Sequence, residues 1–184
     1  PSPDRLAAML SLSTDDLVGN EMAPQAISCG TPFLFVPLRD RRAVARARAK
    51  PELFEETMRG YITNMVMVFA LDAEQPQFDV RARMFAPLIG VPEDPATGSA
   101  SAALAAYLVS LDPRRDAVCA IIIEQGVEMG RRSLIEVEVR KRDGHVESVR
   151  ISGTIHDVGQ TIGLDLSIAK GDGGGTMTIR GSKV

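Results

Sequence analysis

The chain contains no tryptophan, two tyrosines and six phenylalanines, so it has few rings from which to build a stacking platform for bases or sugars. Histidine is as scarce. His145 sits beside a predicted hairpin turn and His156 near a strand end, with no second ligand-type residue at metal spacing; both read as surface or packing residues, and no metal is expected. The only cysteines, Cys29 and Cys119, lie in apolar segments without CxxC or Cys/His spacing, which argues against a zinc site or a disulfide framework and points to a reducing, cytoplasmic compartment. No apolar run approaches the roughly 20 residues needed to cross a bilayer, and no basic-then-apolar signal opens the chain, so no membrane partner is expected. Excess positive charge is also missing: the formal net charge is −3, which disfavours nucleic acid. The first residue is Pro1 and not Met, which reads as an interior segment of a longer polypeptide or a processed form.

What remains is ordinary globular composition, 45% hydrophobic and 24% charged over 184 residues, enough to bury the core of one domain with an appendage. Residues 3–12 place Leu6, Met9 and Leu10 at helical spacing, with Asp4 near the start, and predict a short helix. Residues 26–38 are dense in β-formers broken at Gly30-Thr31-Pro32, giving two short strands or one bent strand. Residues 39–50 carry Arg39, Arg41, Arg42, Arg46, Arg48 and Lys50 among Ala and Val. Without aromatic neighbours or overall positive charge this reads as a solvated helix face, with a nucleic-acid patch as the competing reading.

Pro51 and Gly60 bracket a further helix over 51–59, and the near-continuous apolar run at 65–70 predicts a strand covered on both faces. In 78–85, Phe78, Val80, Ala82 and Met84 alternate with Asp79, Arg81, Arg83 and Phe85, predicting one buried face and one polar face. Residues 117–123 read as a buried strand turned by Glu124-Gln125-Gly126. Strict alternation over 133–142 and 146–155 around Asp143-Gly144 predicts an antiparallel hairpin. The segment 161–184 holds two alternating pieces around a glycine run, readable as a further hairpin; no GKS/T sequence follows the glycines to cradle phosphate. The sum is an α+β pattern of mostly antiparallel strands with one small-residue helix that looks buried all round, and no internal repeat.

That helix belongs to the most informative stretch, FAPLIGVPEDPATGSASAALAAYL over residues 85–108. A polar turn, Glu93-Asp94-Pro95-Ala96-Thr97-Gly98-Ser99, feeds a helix rich in Ala and Ser. The first turn of such a helix leaves N–H groups without intrahelical partners at the positive end of its dipole, a setting suited to anions. Gly98 and Ser99 keep the approach open. Two readings of Asp94 stand: an N-cap with Pro95 at the first helical position, and a ligand-contacting carboxylate. Glu93 beside it invites a carboxylate dyad, but adjacent side chains point apart.

The EDPATGSA turn, the F-A-P-x-x-G strand end before it, the Ala-rich helix after it, QGVEMGR and Gly153-Thr154 together resemble the phenazine-biosynthesis PhzF-like isomerase family, from the start of the chain to about Gly159. The resemblance implies a fold of the diaminopimelate epimerase-like superfamily, with two lobes, each a curved and mostly antiparallel sheet around a central helix, and an active site between them. Residues 1–160 match the second, C-terminal lobe only, and residues 161–184 form a Gly-rich extension outside the pattern. The GNPAAV-like motif and the proton-shuttling glutamate of the first lobe have no counterpart here. By the motif, Asp94 takes the catalytic position, and Thr97, Gly98, Ser99 and Ala100 bind a substrate carboxylate. No cofactor is implied, and no cysteine falls in the motif to support a two-thiol mechanism.

The expected function is therefore the C-terminal lobe of a cofactor-independent isomerase or epimerase that moves a proton on a small carboxylate-bearing metabolite, inactive without its first lobe. Its expected partners are that metabolite, the missing N-terminal lobe or a partner chain, and a second copy in a homodimer. The alternative is a non-catalytic anion-binding or oligomerisation module.

Overall fold

A computed structural model of the chain describes residues 1–19, 22–155, 163–169 and 176–182. Helix α1 (Pro3–Met9) starts with proline at its first position, where the missing N–H costs nothing. Strands β1 (Gln25–Ser28) and β2 (Pro32–Pro37) pair antiparallel across the break at Gly30, whose φ of 110° needs glycine. The basic stretch yields only one short helix, α2 (Arg41–Arg46), capped by Asp40, whose carboxylate accepts from Ala43 N at 2.8 Å. Arg39 and Arg46 both reach the buried Asp16, and Ala43, Val44 and Ala47 turn inward, so the stretch forms an anchored edge of the fold. Helix α3 (Pro51–Met58) and strand β3 (Val66–Ala70) follow.

Strand β4 (Val80–Ala86) lies next to β3 and also pairs with the short β5 (Val91–Asp94). Helix α4 (Gly98–Ser110) then crosses to β6 (Ala117–Gln125), which runs on through β7 (Ser133–Arg142), β8 (His145–Ile155), β9 (Gly163–Ala169) and β10 (Thr176–Ser182). The β7–β8 hairpin turns at Asp143 and Gly144, with φ of 50° and 84°, the left-handed pair that a two-residue loop between right-twisted strands requires. His145 opens β8 at the surface, while His156 and the 160/161 boundary lie outside the described residues.

Among the described residues the sheet is mixed but mostly antiparallel, as expected: seven of its nine strand pairings are antiparallel, and the two exceptions are β2 with β3 and β4 with β6, which run parallel. Parallel neighbours need a crossover. One crossover carries α2 and α3, and the other carries β5 and α4. The sheet is thereby covered on two sides. Phe33, Phe35, Met67, Phe69, Ala82 and Met84 point to the α4 side; Leu34, Val36, Val66, Val68 and Phe85 point to the α1–α3 side. Strand β4 lies between these layers, and all seven of its residues are buried. The polar face predicted for it is thus as enclosed as the apolar one. In α4, six consecutive residues from Ala100 to Ala105 are buried, so the middle of the helix is enclosed on every side, while its last turn is partly open. Lys141, itself buried, donates to the carbonyls of Asp112 at 2.5 Å and Val109 at 3.4 Å, tying β7 to the end of α4.

Candidate functional site

Strand β5 ends at Asp94, the chain turns through Pro95 and Ala96, and Thr97 is the N-cap of α4. The alternative with Asp94 as N-cap and Pro95 at the first helical position is not what forms. Asp94 is paired with Met84 of β4, which holds it extended, so the helix starts three residues later than that reading requires. Thr97 does not spend its hydroxyl on the helix. It donates to Asp94 Oδ2 at 2.6 Å, and Ala96 N approaches Oδ1 at 3.4 Å. The first N–H groups of α4 are therefore left uncapped by Thr97 at the positive end of the helix.

Strand β6 supplies the support. Its last residue, Gln125, has no exposed surface, although the sequence reads it as part of a turn. Its carboxamide accepts from Thr97 N at 3.1 Å and donates to Asp94 O at 2.7 Å and to Thr97 Oγ1 at 3.1 Å. Gly126 follows with φ of 76°; a Cβ there would stand 2.2 Å from Arg131 O and 2.8 Å from Pro95 O. Only glycine lets the 126–131 turn lie against the Asp94 turn at this distance. The "QG" of QGVEMGR is the signal that points to this pair, but its partner in the EDPATGSA turn lies 28 residues away from Gln125 along the chain.

The sequence-predicted residues come together at this turn. Asp94 is half-buried with its carboxylate beside Thr97, which is 7% exposed. Gly98 and Ser99 are half-buried in the first turn of α4, and a Cβ on Gly98 would make only an ordinary contact with Ile151 Cδ1 at 3.8 Å. Ala100 turns its methyl fully into the core, so it can offer a ligand only its N–H.

Glu93 goes the other way. Its carboxylate takes two bonds from Arg83, Nε to Oε1 at 2.7 Å and Nη2 to Oε2 at 2.8 Å. Arg83 also donates from Nη1 to the carbonyls of Val44 at 3.1 Å and Ala47 at 2.7 Å, filling acceptors at the end of α2, and lies over the Phe85 ring at 4.9 Å. Arg81 continues the array to Glu124 at 2.5 Å and Glu128 at 2.8 Å, and Arg132 lies 2.7 Å from Glu124. Burial alone would lower the pKa of Arg81; its bonds to Glu128 and Glu124 outweigh this and raise it. A cleft of about 330 Å³ lined by Arg48, Pro51, Arg83, Phe85, Pro92 and Glu93 opens on this side. None of these pairings is legible as periodicity. Arginines at 81 and 83 on a strand next to a continuous apolar one were the available hint.

Among the described residues no group of three His, Cys, Asp or Glu side chains is placed to hold a metal ion. Among the same residues no helix is long and apolar enough to cross a membrane.

The sequence pattern of the family described as "Phenazine biosynthesis-like protein" matches residues 1–158. An uncharacterized isomerase of Clostridium acetobutylicum is 30% identical over 152 residues, 82% of this chain and 50% of that protein. The trans-2,3-dihydro-3-hydroxyanthranilate isomerase of Pseudomonas chlororaphis is 42% identical over 73 residues, 40% of this chain and 26% of that protein. A PhzF-family phenazine biosynthesis protein of Bacillus anthracis superposes with a TM-score of 0.67 over 100% of this chain and 56% of that one; at 20% identity this is a likeness of fold. The chain spans about half the length of the curated relatives it matches.

Proposed function

The chain belongs to the phenazine biosynthesis-like protein family, and from that membership we propose that it is the substrate-anchoring lobe of a cofactor-independent isomerase or epimerase. In this reading residues 1–160 form one diaminopimelate epimerase-like lobe, its sheet curved about α4. A second lobe, in the same polypeptide or in a partner chain, brings the glutamate that moves the proton. The reaction is a proton shift: a C–H bond breaks, the electron pair is held in the conjugated system, and a proton returns at another carbon or on the opposite face of the same one, so neither oxidant nor reductant enters. Uncapped N–H groups at Gly98, Ser99 and Ala100 hold the substrate carboxylate, and Asp94 accepts from a polar substrate group or assists the transfer.

The observation that carries this reading is the contrast at the turn. Among the described residues Asp94 meets a hydroxyl and a distant N–H, in front of a helix N-terminus, whereas the neighbouring carboxylate is fully engaged by an arginine. The name of the Pseudomonas chlororaphis relative suggests the first candidate, trans-2,3-dihydro-3-hydroxyanthranilate. The test is deuterium incorporation from D2O into that compound and other small carboxylic acids, with the full-length natural protein and its Asp94→Ala variant. Incorporation that falls about 100-fold or more in the variant is expected; an unimpaired variant would sink the assignment of Asp94.

A second reading, an assembly module of the cytoplasm that pairs through this face, is favoured by one feature. Leu88, Ile89 and Val91, just upstream of the turn, are 38%, 56% and 37% exposed. Sedimentation of this chain as a monomer at high concentration would remove that support.

A further inference from the structure

The carboxamide of Gln125 can be oriented from its fixed neighbours alone. The N–H of Thr97 can only donate and the carbonyl of Asp94 can only accept, so Oε1 faces the first at 3.1 Å and Nε2 the second at 2.7 Å. The same Nε2 lies 3.1 Å from Thr97 Oγ1. A donor on that side obliges the hydroxyl oxygen to accept, and its single hydrogen is left to point at Asp94 Oδ2, 2.6 Å away. Gln125 is fully enclosed, and Gly126 next to it packs against the Pro95 carbonyl, so neither the amide nor the turn has room to rearrange. Chains of this kind polarise in one direction.

We infer that Gln125 is a positioning residue for Asp94: its Nε2 sets the direction of the Thr97 hydroxyl, and that hydroxyl engages Oδ2. Among the described residues Oδ1 meets the Ala96 N–H at 3.4 Å, which leaves it spare capacity for a substrate. The inference rests on the reading of Asp94 as the carboxylate that meets substrate. It goes beyond that reading by giving a role to a buried residue on a different strand, one that touches no ligand itself.

Gln125→Glu separates positioning from mere support. An ionised glutamate still accepts from Thr97 N–H but has no hydrogen to give to Asp94 O or Thr97 Oγ1. In the full-length protein, Gln125→Glu and Thr97→Val are each expected to lower kcat for proton exchange about 100-fold with KM within about threefold. The double variant should be no slower than the slower single variant, and Thr97→Ser, which keeps the hydroxyl, should stay within about threefold of wild type. Independently of activity, three-bond couplings of Thr97 in the present chain should report one χ1 rotamer in the wild type and averaging in Gln125→Glu. An unchanged rotamer, or costs that simply add in the double variant, would overturn the inference. If Gln125→Glu does not fold, the same question falls to Thr97→Val, in which the Gln125 side-chain amide protons should gain solvent exchange; unchanged protection overturns it. Wild-type protein that exchanges no deuterium would defeat the proposed reaction, while the rotamer measurement would still decide whether Gln125 directs Thr97.

Discussion

Glu93 and Asp94 are consecutive residues of one strand, with the same chemical group, and the fold treats them oppositely. The pleat sends Glu93 to the α1–α3 side, where Arg83 takes both of its oxygens, and Asp94 to the α4 side, where it meets a hydroxyl. On the first side three arginines and three glutamates, residues 81, 83, 132, 93, 124 and 128, lock β4, β5 and β6 to one another and to the end of α2. On the second side Asp94, Thr97 and Gln125 form a network of a carboxylate, a hydroxyl and a carboxamide. A carboxylate saturated by a guanidinium holds structure together but has nothing left for a ligand. One held by a single hydroxyl retains acceptor capacity, and the ion pairs behind it keep the strand that carries it in register.

The largest effect should come from breaking the structural side. Arg83→Leu leaves the Glu93 carboxylate and the carbonyls of α2 without their donors, which should cost about 3–5 kcal/mol in urea unfolding; a loss below about 1 kcal/mol would mean the ion pairs are not what holds this side. Gly126→Ala strikes the contact between the two turns. Its Cβ would meet backbone oxygens at 2.2 and 2.8 Å in a left-handed conformation, and at least about 2 kcal/mol of destabilisation is expected from the same measurement. Wild-type stability in this variant would show that the turns can part freely.

The smallest effect checks the arginine–carboxylate side from outside, at Asp112, beyond the end of α4. Hydrogen bonds from the Arg114 side chain, then from its backbone N–H, hold this carboxyl down at about 2 from an ordinary 3.8. Because the folded-state value is the lower one, the associated stability is present above about 3.8 and is lost as pH falls through about 2. The acid unfolding curve of Asp112→Asn should therefore lose its slope in that window relative to wild type. Identical curves would show that exposed pairing of this kind contributes nothing here.

Much of this was legible in the sequence. The EDPATGSA turn and its small-residue helix name the family and locate Asp94 and Thr97, and the alternation of 133–142 around Asp143-Gly144 gives the hairpin. The charged face of β4 was misread because alternation reports two faces without saying whether the second meets water. Here α2, β5 and the 127–129 turn cover it, and Arg81 and Arg83 are tolerated inside because glutamates and carbonyls meet each of their guanidinium nitrogens. Gln125 was missed for a related reason, since a glutamine next to a glycine reads as a surface turn unless its partner is known.

By itself, then, the sequence determined the family, the EDPATGSA turn with its small-residue helix, and the 143–144 hairpin, because local spacing and turn residues act over a few positions. Tertiary structure alone decided that Glu93 is spent on an arginine while Asp94 is not, and that Gln125 orders the turn. Those outcomes depend on which side of a mixed sheet a residue faces and on what the two crossovers lay against it, contacts made between segments 10 to 47 residues apart that no local pattern encodes.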